Sequence, residues 1–399
     1  MTYASSPLPD ASPVAENVFL RMLPITLAVF VGFLVIGIAL PVLPLHLHYT
    51  LDMNAVVVGV VIGCQFLSAL MSRGWAGGLA DARGGKRAVI LSLPVAGLSG
   101  VAYLASLAFT ATPGLSVGVL LIGRILLGCA ESLLITGALG WGFGLVGPRN
   151  AGKVMAWVGM AMFAAYAAGA PLGTLIYNHY NFIGIAVATM VIPLTALGLV
   201  IPATSVAVTA TKRVPFYKVL GTVLLPGIGL GLCCVGFGVV NTFMALLFAA
   251  RDWGSASLAF SAFGVAFIVA RLLFAHLPDK IGGAKVALVC VLVETVGLLL
   301  IWQAGSAMMV YPGAVLTGFG YSLAFPGFGV EAVRRAPPQS RGAAMGAFMA
   351  FSDMALGVTG PAAGAIANVA GVNSVYLAGA GGVLLSAFVA AYLLVNKPA

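Results

Sequence analysis

Four ionisable residues stand deep inside otherwise apolar runs of this chain: Arg124, Glu131, Glu294 and Asp353. If those runs lie in lipid, each charge costs from about 3 to more than 10 kcal/mol, so each is a candidate for function. Arg124 and Glu131 are seven residues apart, which on a helix is two turns, one face and ~10 Å along the axis. Such a pair can divide labour, with Arg124 holding an anionic or polar group of a solute and Glu131 taking up a proton. Burial favours the neutral form of a carboxyl and a nearby cation favours the charged form. Arrival of a proton or a solute then trades protonation against conformation, with Glu131 and Asp353 as the proton-coupling candidates. The plainer alternative is a static polar network that fixes helix packing, and for Glu294 that alternative is favoured.

Other polar residues in the same runs, namely Gln65, Thr136, Tyr166, Asn241, Thr242, Tyr321 and Ser352, could shape a pocket. Taken singly, each reads more simply as an interhelical hydrogen bond. Tyr166 and Asn241 join Arg124 as the substrate-binding candidates. His46 and His48, two apart on a connection, are a weak pattern for a metal, and no metal site is expected. Gly227-x-Gly-x-Gly231 lies within an apolar run with no strand before it, so it is no nucleotide fingerprint. The chain has no His-Glu-x-x-His, no Gly-x-Ser-x-Gly and no phosphate-binding loop. An enzyme, a resident cofactor and direct use of ATP are therefore not expected.

The elements that must position these residues follow from composition. Hydrophobic residues make up 61% of the 399 and charged residues only 7%, where a soluble domain carries about a quarter charged. Lipid must be the solvent for most of the surface. A helix needs about 20 apolar residues to cross the hydrocarbon core. Runs of that length occupy 22–44, 55–78, 88–110, 113–140, 153–177, 182–203, 218–249, 257–277, 284–304, 308–330, 343–369 and 374–395. Backbone groups in lipid need partners within their own segment, so these are helices. The first twenty residues lack a basic leader, and the run after Arg21 is too long for a cleaved signal. The five cysteines all fall in apolar runs and suggest no disulfide framework.

Of the 19 lysines and arginines, 17 lie before the first run, in or around the even-numbered connections, or in the tail. Arg251 is alone on the other side, and Arg124 is left alone within the membrane. The positive-inside rule then places both termini in the cytoplasm. It also explains the net charge of +9 without nucleic acid, since no basic, aromatic-interleaved patch exists.

The chain also repeats itself. Arg73, Asp81, Gly84 and Gly85 recur as Arg271, Asp279, Gly282 and Gly283 at an offset of 198, and Gly152, Met155 and Pro171 recur as Gly342, Met345 and Pro361 at an offset of 190. Ser132-Leu133 and Ser322-Leu323 share the second offset. An ordered series in equivalent runs predicts two parallel six-helix repeats, which can rock about a central site to give alternating access. The expected division is an N-terminal bundle over 1–203, a linker over 204–217 and a C-terminal bundle over 218–399. Asp353 then lies near the depth of Glu131 in the opposite half.

Gly77-x-Leu79-x-Asp81-x-x-Gly84-x-Lys86-Arg87 resembles the loop signature of the major facilitator superfamily, and the resemblance covers essentially the whole chain. Its flavour is similar to the bacterial drug and metabolite efflux branch, including the YhhS/YfcJ-like efflux permeases. Ala82 departs from the arginine that many members carry after the aspartate, with Arg83 one position later. The resemblance implies an all-α membrane protein of twelve helices. It also implies a latch, in which Asp81 faces the positive end of a helix from the other half, Gly84 permits the turn and Lys86 and Arg87 sit at the headgroups. Asp279 and Gly282 repeat it. A turn with ordinary topology charges is the alternative. Gly169-Ala-Pro171-Leu-Gly173 and Gly360-Pro361-Ala-Ala-Gly364 resemble the glycine–proline motif of exporters, where small residues allow close approach and proline weakens the ladder. The expectation is a proton-coupled antiporter that exports small organic molecules, acting as a monomer in the cell inner membrane. Its partners are lipid, a small-molecule substrate and protons. Proton-coupled uptake of a sugar or organic acid is the alternative, and a non-transporting sensor fits less well.

Overall fold

The computed structural model describes residues 18–147, 150–206, 216–336 and 341–396, and within them the chain is helical with no strand. Ten helical segments are long and apolar enough to span a bilayer. One of these, Gly152–Val200, is 49 residues long and breaks at Asn181, where φ 51° and ψ −157° reverse the chain. The helix Arg341–Ala370 passes through the bundle beside the others.

Twelve spans result. In the first half they are α1 (Val18–Ala39, prolonged through Leu43–Leu45 and His46–Thr50), α2 (Ala55–Arg83), α3 (Gly85–Ser106), α4 (Pro113–Val146), α5 (151–180) and α6 (182–195, continued by Leu197–Val200). In the second they are α7 (Phe216–Ala250), α8 (Ser257–Phe274), α9 (Gly283–Trp302), α10 (Ala307–Arg335), α11 (Arg341–Ala370) and α12 (Ser374–Val395).

The apolar runs locate the spans but understate several. Helices α2, α4 and α10 run past the hydrocarbon into the connections, because a helix needs only backbone partners to continue, not lipid. Arg73 and Arg271, expected in connections, lie inside α2 and α8. The expected linker falls largely outside the described residues, since 207–215 are not among them and Phe216 already belongs to α7.

The repeat is written in the backbone as well as the sequence. Gly84 (φ 90°, ψ 147°) turns α2 into α3, and Gly282 (φ 100°, ψ 138°) leads into α9 in the same way. A side chain at either would be strained. Asp52 and Asp252, both at φ 52°, occupy the α1–α2 and α7–α8 connections, while Asn181 and Gly371 take positive φ at the α5–α6 and α11–α12 connections. Packing repeats too: α1 on α5, α2 on α4, α3 on α4 and α3 on α6 match α7 on α11, α8 on α10, α9 on α10 and α9 on α12.

Two helix pairs make the most extensive contacts between the halves, α2 with α11 and α5 with α8. Gly59 and Gly63 of α2 bring their backbone against Gly360 and Gly357 of α11, and Gly364 rests on Ala55. Asn368 Oδ1 accepts from Ala55 N at 3.1 Å, closing the same edge. On the other pair, Ser261 Oγ donates to Ala167 O at 2.7 Å, and Gly264 lies against Phe163 and Ala167. These contacts lie toward the face of the bundle opposite the chain termini. Nearer the terminal face, Gly74, Gly159 and Gly346 have open space where a Cβ would stand.

Candidate functional site

The glycines of α2 set its distance from α11, and that distance decides what the next turns can reach. Three turns below Gly63, Arg73 extends across the interface to Asp353 on α11. Its Nε donates to Asp353 Oδ2 at 2.8 Å, and Nη2 makes a second, charge-assisted bond to the same oxygen. Both side chains are largely buried, at 16% and 11% exposure. A pair so withdrawn from water holds only while both partners stay charged, and removing one costs about 3–5 kcal/mol.

On the same helix, Gln65 Nε2 donates to Glu131 Oε2 of α4 at 2.7 Å. Glu131 is 8% exposed, and a cavity of about one water molecule's size lies beside it, lined by Phe33, Ile36, Ser92 and Leu127. Helix α2 thus holds a neutral donor to one carboxyl and a cationic donor to another, eight residues and ~12 Å apart along its axis.

Arg124 is also buried, but its guanidinium is taken up by the protein in this conformation. Nε and Nη2 donate to Val61 O (3.2 Å) and Ile62 O (3.3 Å), and Nη1 approaches Tyr103 Oη at 3.4 Å. This clamps α4 to α2. Tyr166 and Asn241, the other two substrate candidates, are both buried. Tyr166 belongs to an aromatic group at the centre of the bundle, drawn from both halves: Phe33 (α1), Phe163 and Tyr166 (α5), Phe237 (α7), Phe263 and Phe267 (α8) and Tyr321 (α10). Phe163 and Phe267 stack across the interface with centroids 3.6 Å apart, and Phe237 stacks on Tyr321 at 5.4 Å. Asn241 sits one turn from Phe237 on α7, and its Oδ1 has no partner among the described residues.

Glu294 is fully buried on α9 inside the second half, where Cys233 Sγ donates to its Oε2 at 3.0 Å and its Oε1 has no partner among the described residues. The structure does not bring it to the interface. Lys86, expected at the headgroups, turns inward within its own half and donates to Ile201 O (2.8 Å) and Ala203 O (2.5 Å), capping the end of the Leu197–Val200 helix. Asp81, Arg87 and Asp279 are exposed at the terminal face, and Gly77 is half-buried. Gly169 and Gly173 pack on Gly37 and Ile38 of α1, so the first glycine–proline motif binds α5 to α1 within one half, flanking Pro171. In the second, Gly360 and Gly364 cross to α2, and the Pro361 ring lies against Gly63.

Three charged residues at depth went unremarked as such in the sequence: Arg73, Arg271 and Glu331. The first two lie within the very runs read as spans two and eight, which was the available signal. Glu331 Oε1 accepts from Ala284 N at 3.2 Å at the start of α9, and Oε2 pairs with Arg335 at 2.6 Å. This fastens α10 to α9.

The model of the Major Facilitator Superfamily matches residues 25–227 and again 226–399. The chain belongs to the major facilitator superfamily. It is 40% identical over 377 residues to the uncharacterized MFS-type transporter YhhS of Escherichia coli K12, covering 94% of this chain and 93% of that protein. An uncharacterized MFS-type transporter of Pseudomonas aeruginosa PAO1 is 42% identical over 372 residues, 93% of this chain and 92% of that one. Among solved structures, the nucleoside transporter NupG superposes with a TM-score of 0.72 at 15% identity, covering 96% of this chain and 100% of that one. A D-xylose-proton symporter gives 0.75 at 16% identity, with coverage of 92% and 97%. At such identities the structural likeness speaks to fold alone. Superfamily membership makes this a multi-pass membrane transporter, and the two family matches meet near the start of α7, where the second repeat begins.

Proposed function

We propose that this major facilitator transporter is a proton-coupled antiporter that exports small organic molecules by alternating access. The observation that carries the reading is the Arg73–Asp353 pair, which ties the two halves together beside a second buried carboxyl, Glu131. A proton arriving on Asp353 cancels the charge that holds Arg73 and frees α2 from α11 at that level. Moving a two-state population from 1:99 to 99:1 takes about 5.5 kcal/mol. Losing one partner of a buried ion pair supplies about 3–5 kcal/mol of that, so protonation and solute together suffice. Glu131 serves as the companion proton site, exchanging its Gln65 bond for a proton.

Orientation follows from charge. Among the described residues, Arg21, Arg83, Lys86, Arg87, Lys153, Lys280, Lys285, Arg334 and Arg335 gather at the terminal face, against Arg251 at the other. By the positive-inside rule the terminal face is cytoplasmic. The glycine-packed seal then faces outward, and this conformation opens toward the cytoplasm in the inner membrane.

The test is flux in proteoliposomes under an imposed inward proton gradient. Expulsion of a solute against its concentration supports the antiporter. Accumulation reverses the direction and makes it an uptake symporter, and indifference to the gradient removes proton coupling.

A further inference from the structure

One break in the repeat that relates the halves falls on the charge pair between them. Arg73 of α2 corresponds to Arg271 of α8, and Asp353 of α11 corresponds to Phe163 of α5, by the same offsets that relate Gly282 to Gly84 and Pro361 to Pro171. The contacts agree with this register, since Gly63 against Gly357 is answered by Ser261 against Ala167. At one interface an arginine therefore meets a carboxylate. At its counterpart the carboxylate's position is held by Phe163, and the equivalent arginine lies over the ring of Phe267 on its own helix.

Arg271 is only 9% exposed. Its Nη2 donates to Ser322 O at 2.9 Å, and Nε is buried with no partner among the described residues. The guanidinium carbon stands 5.2 Å from the centre of the Phe267 ring, which stacks in turn on Phe163. No ion pair to Arg271 occurs among the described residues. Asp353 is engaged by Arg73, Glu131 by Gln65 and Glu294 by Cys233. A buried guanidinium without an anion is costly, and its planar fork matches a carboxylate.

We infer that Arg271 and the aromatic stack of Phe163, Phe267, Phe237 and Tyr321 form the recognition site for a small aromatic carboxylate, whose anion takes the place that Asp353 fills in the other interface. This rests on the transporter reading above and names its substrate class. The flat, closely spaced rings suit an arene, which inserts where Phe163 and Phe267 now stack. A single cation, with no lysine beside it, balances a single negative charge and so selects a monoanion. A solute held there by both α5 and α8 bridges the halves at this interface, as the Arg73–Asp353 pair does at the other.

The test is equilibrium binding of radiolabelled benzoate to the full-length protein in nanodiscs, with benzamide, benzylamine and cyclohexanecarboxylate as competitors. Benzoate should bind, and each competitor should be weaker by about tenfold or more, because each lacks either the anion or the flat ring. Arg271→Gln should weaken benzoate by at least about tenfold. Should Arg271→Gln fail to give monodisperse protein, a second pair of variants decides. Phe163→Asp supplies the missing carboxylate internally and should abolish binding, whereas Phe163→Asn removes the same ring without a charge and should bind more tightly than Phe163→Asp. The inference is overturned if wild type does not bind benzoate, if Arg271→Gln binds equally, if benzylamine competes as well as benzoate, or if the two Phe163 variants behave alike. Flux separates this from the transport reading. Benzoate that binds but never moves under any gradient leaves the site standing and removes aromatic carboxylates from the exported solutes. Gradient-driven movement of a neutral solute without benzoate binding overturns the site and leaves transport standing.

Discussion

Arg73 and Asp353, 280 residues apart in the chain, meet across the interface of the two halves through two bonds to one carboxylate oxygen. This leaves the other oxygen of Asp353 as the natural place for a proton, and it gives the pair a measurable signature. Arg73→Gln or Asp353→Asn alone should lower stability by about 3 kcal/mol, since each strands a buried partner. The double variant should recover most of that loss. Thermal unfolding in detergent checks it, and additive losses would mean that the two side chains do not interact in solution.

Transport should respond differently from stability. Asp353→Asn is expected to abolish gradient-driven flux in a protein that still elutes as a single species. Glu131→Gln preserves the shape of the carboxyl and retains a hydrogen-bonding partner for Gln65. Gradient-driven flux should fall by tenfold or more in Glu131→Gln, roughly the loss expected on removing a proton-transfer group, while substrate counterflow without a gradient continues. Normal driven flux in both variants would remove these carboxyls from coupling.

The closest contacts in the seal between α2 and α11 are made by backbone. Gly360→Ala or Gly59→Ala would set a methyl group against a facing carbonyl with no flexible side chain to yield. Overpacking of this kind costs about 1–3 kcal/mol, borne by the closed seal alone. The expected result is a shift toward the opposite conformation, read as wider spin-label distances between the outer ends of α2 and α11. Unchanged distances would argue against close packing there.

Asn181 joins α5 to α6 at φ 51° and ψ −157°, a region that suits glycine, and its counterpart in the second half is Gly371. Asn181→Gly should therefore raise stability by about 1 kcal/mol, seen as a higher melting temperature, whereas Gly371→Asn should lower it.

Asp81 closes α2 at the terminal face, ahead of the Gly84 turn. If it helps hold that face closed in the alternate state, Asp81→Asn should slow substrate exchange several-fold while leaving equilibrium binding unchanged. Pre-steady-state exchange in proteoliposomes provides the measurement.

Much of the fold was legible because lipid imposes a length and a polarity on every span, and because duplication prints the same residues twice. Arg73/Arg271 and Gly84/Gly282 mark the repeat in the sequence itself. The depth of Glu131 and Asp353 was equally plain, as charges amid apolar residues. What one sequence could not supply was partnership. Arg73 resembled its neighbours Arg83 and Lys86, and only the approach of α11 distinguishes a bridging guanidinium from a surface charge. Arg124 was read as a solute ligand from its depth alone, but the α2 carbonyls that occupy it here come from 62 and 63 residues away. Lys86 likewise looked like a headgroup contact until the end of the Leu197–Val200 helix was seen to lie over it. In each case the deciding information was the position of another helix, which local pattern does not encode.

The bare main-chain contact between Gly59 and Gly360 has a kinetic implication. A lid built from interdigitating side chains must find its rotamers anew each time it shuts. One built from peptide planes has no such search to make, and no methyl or hydroxyl left dangling to hold water in the crevice. Rapid re-closure and a low leak of ions through the shut end are then the same property, and both reside in the missing β-carbons.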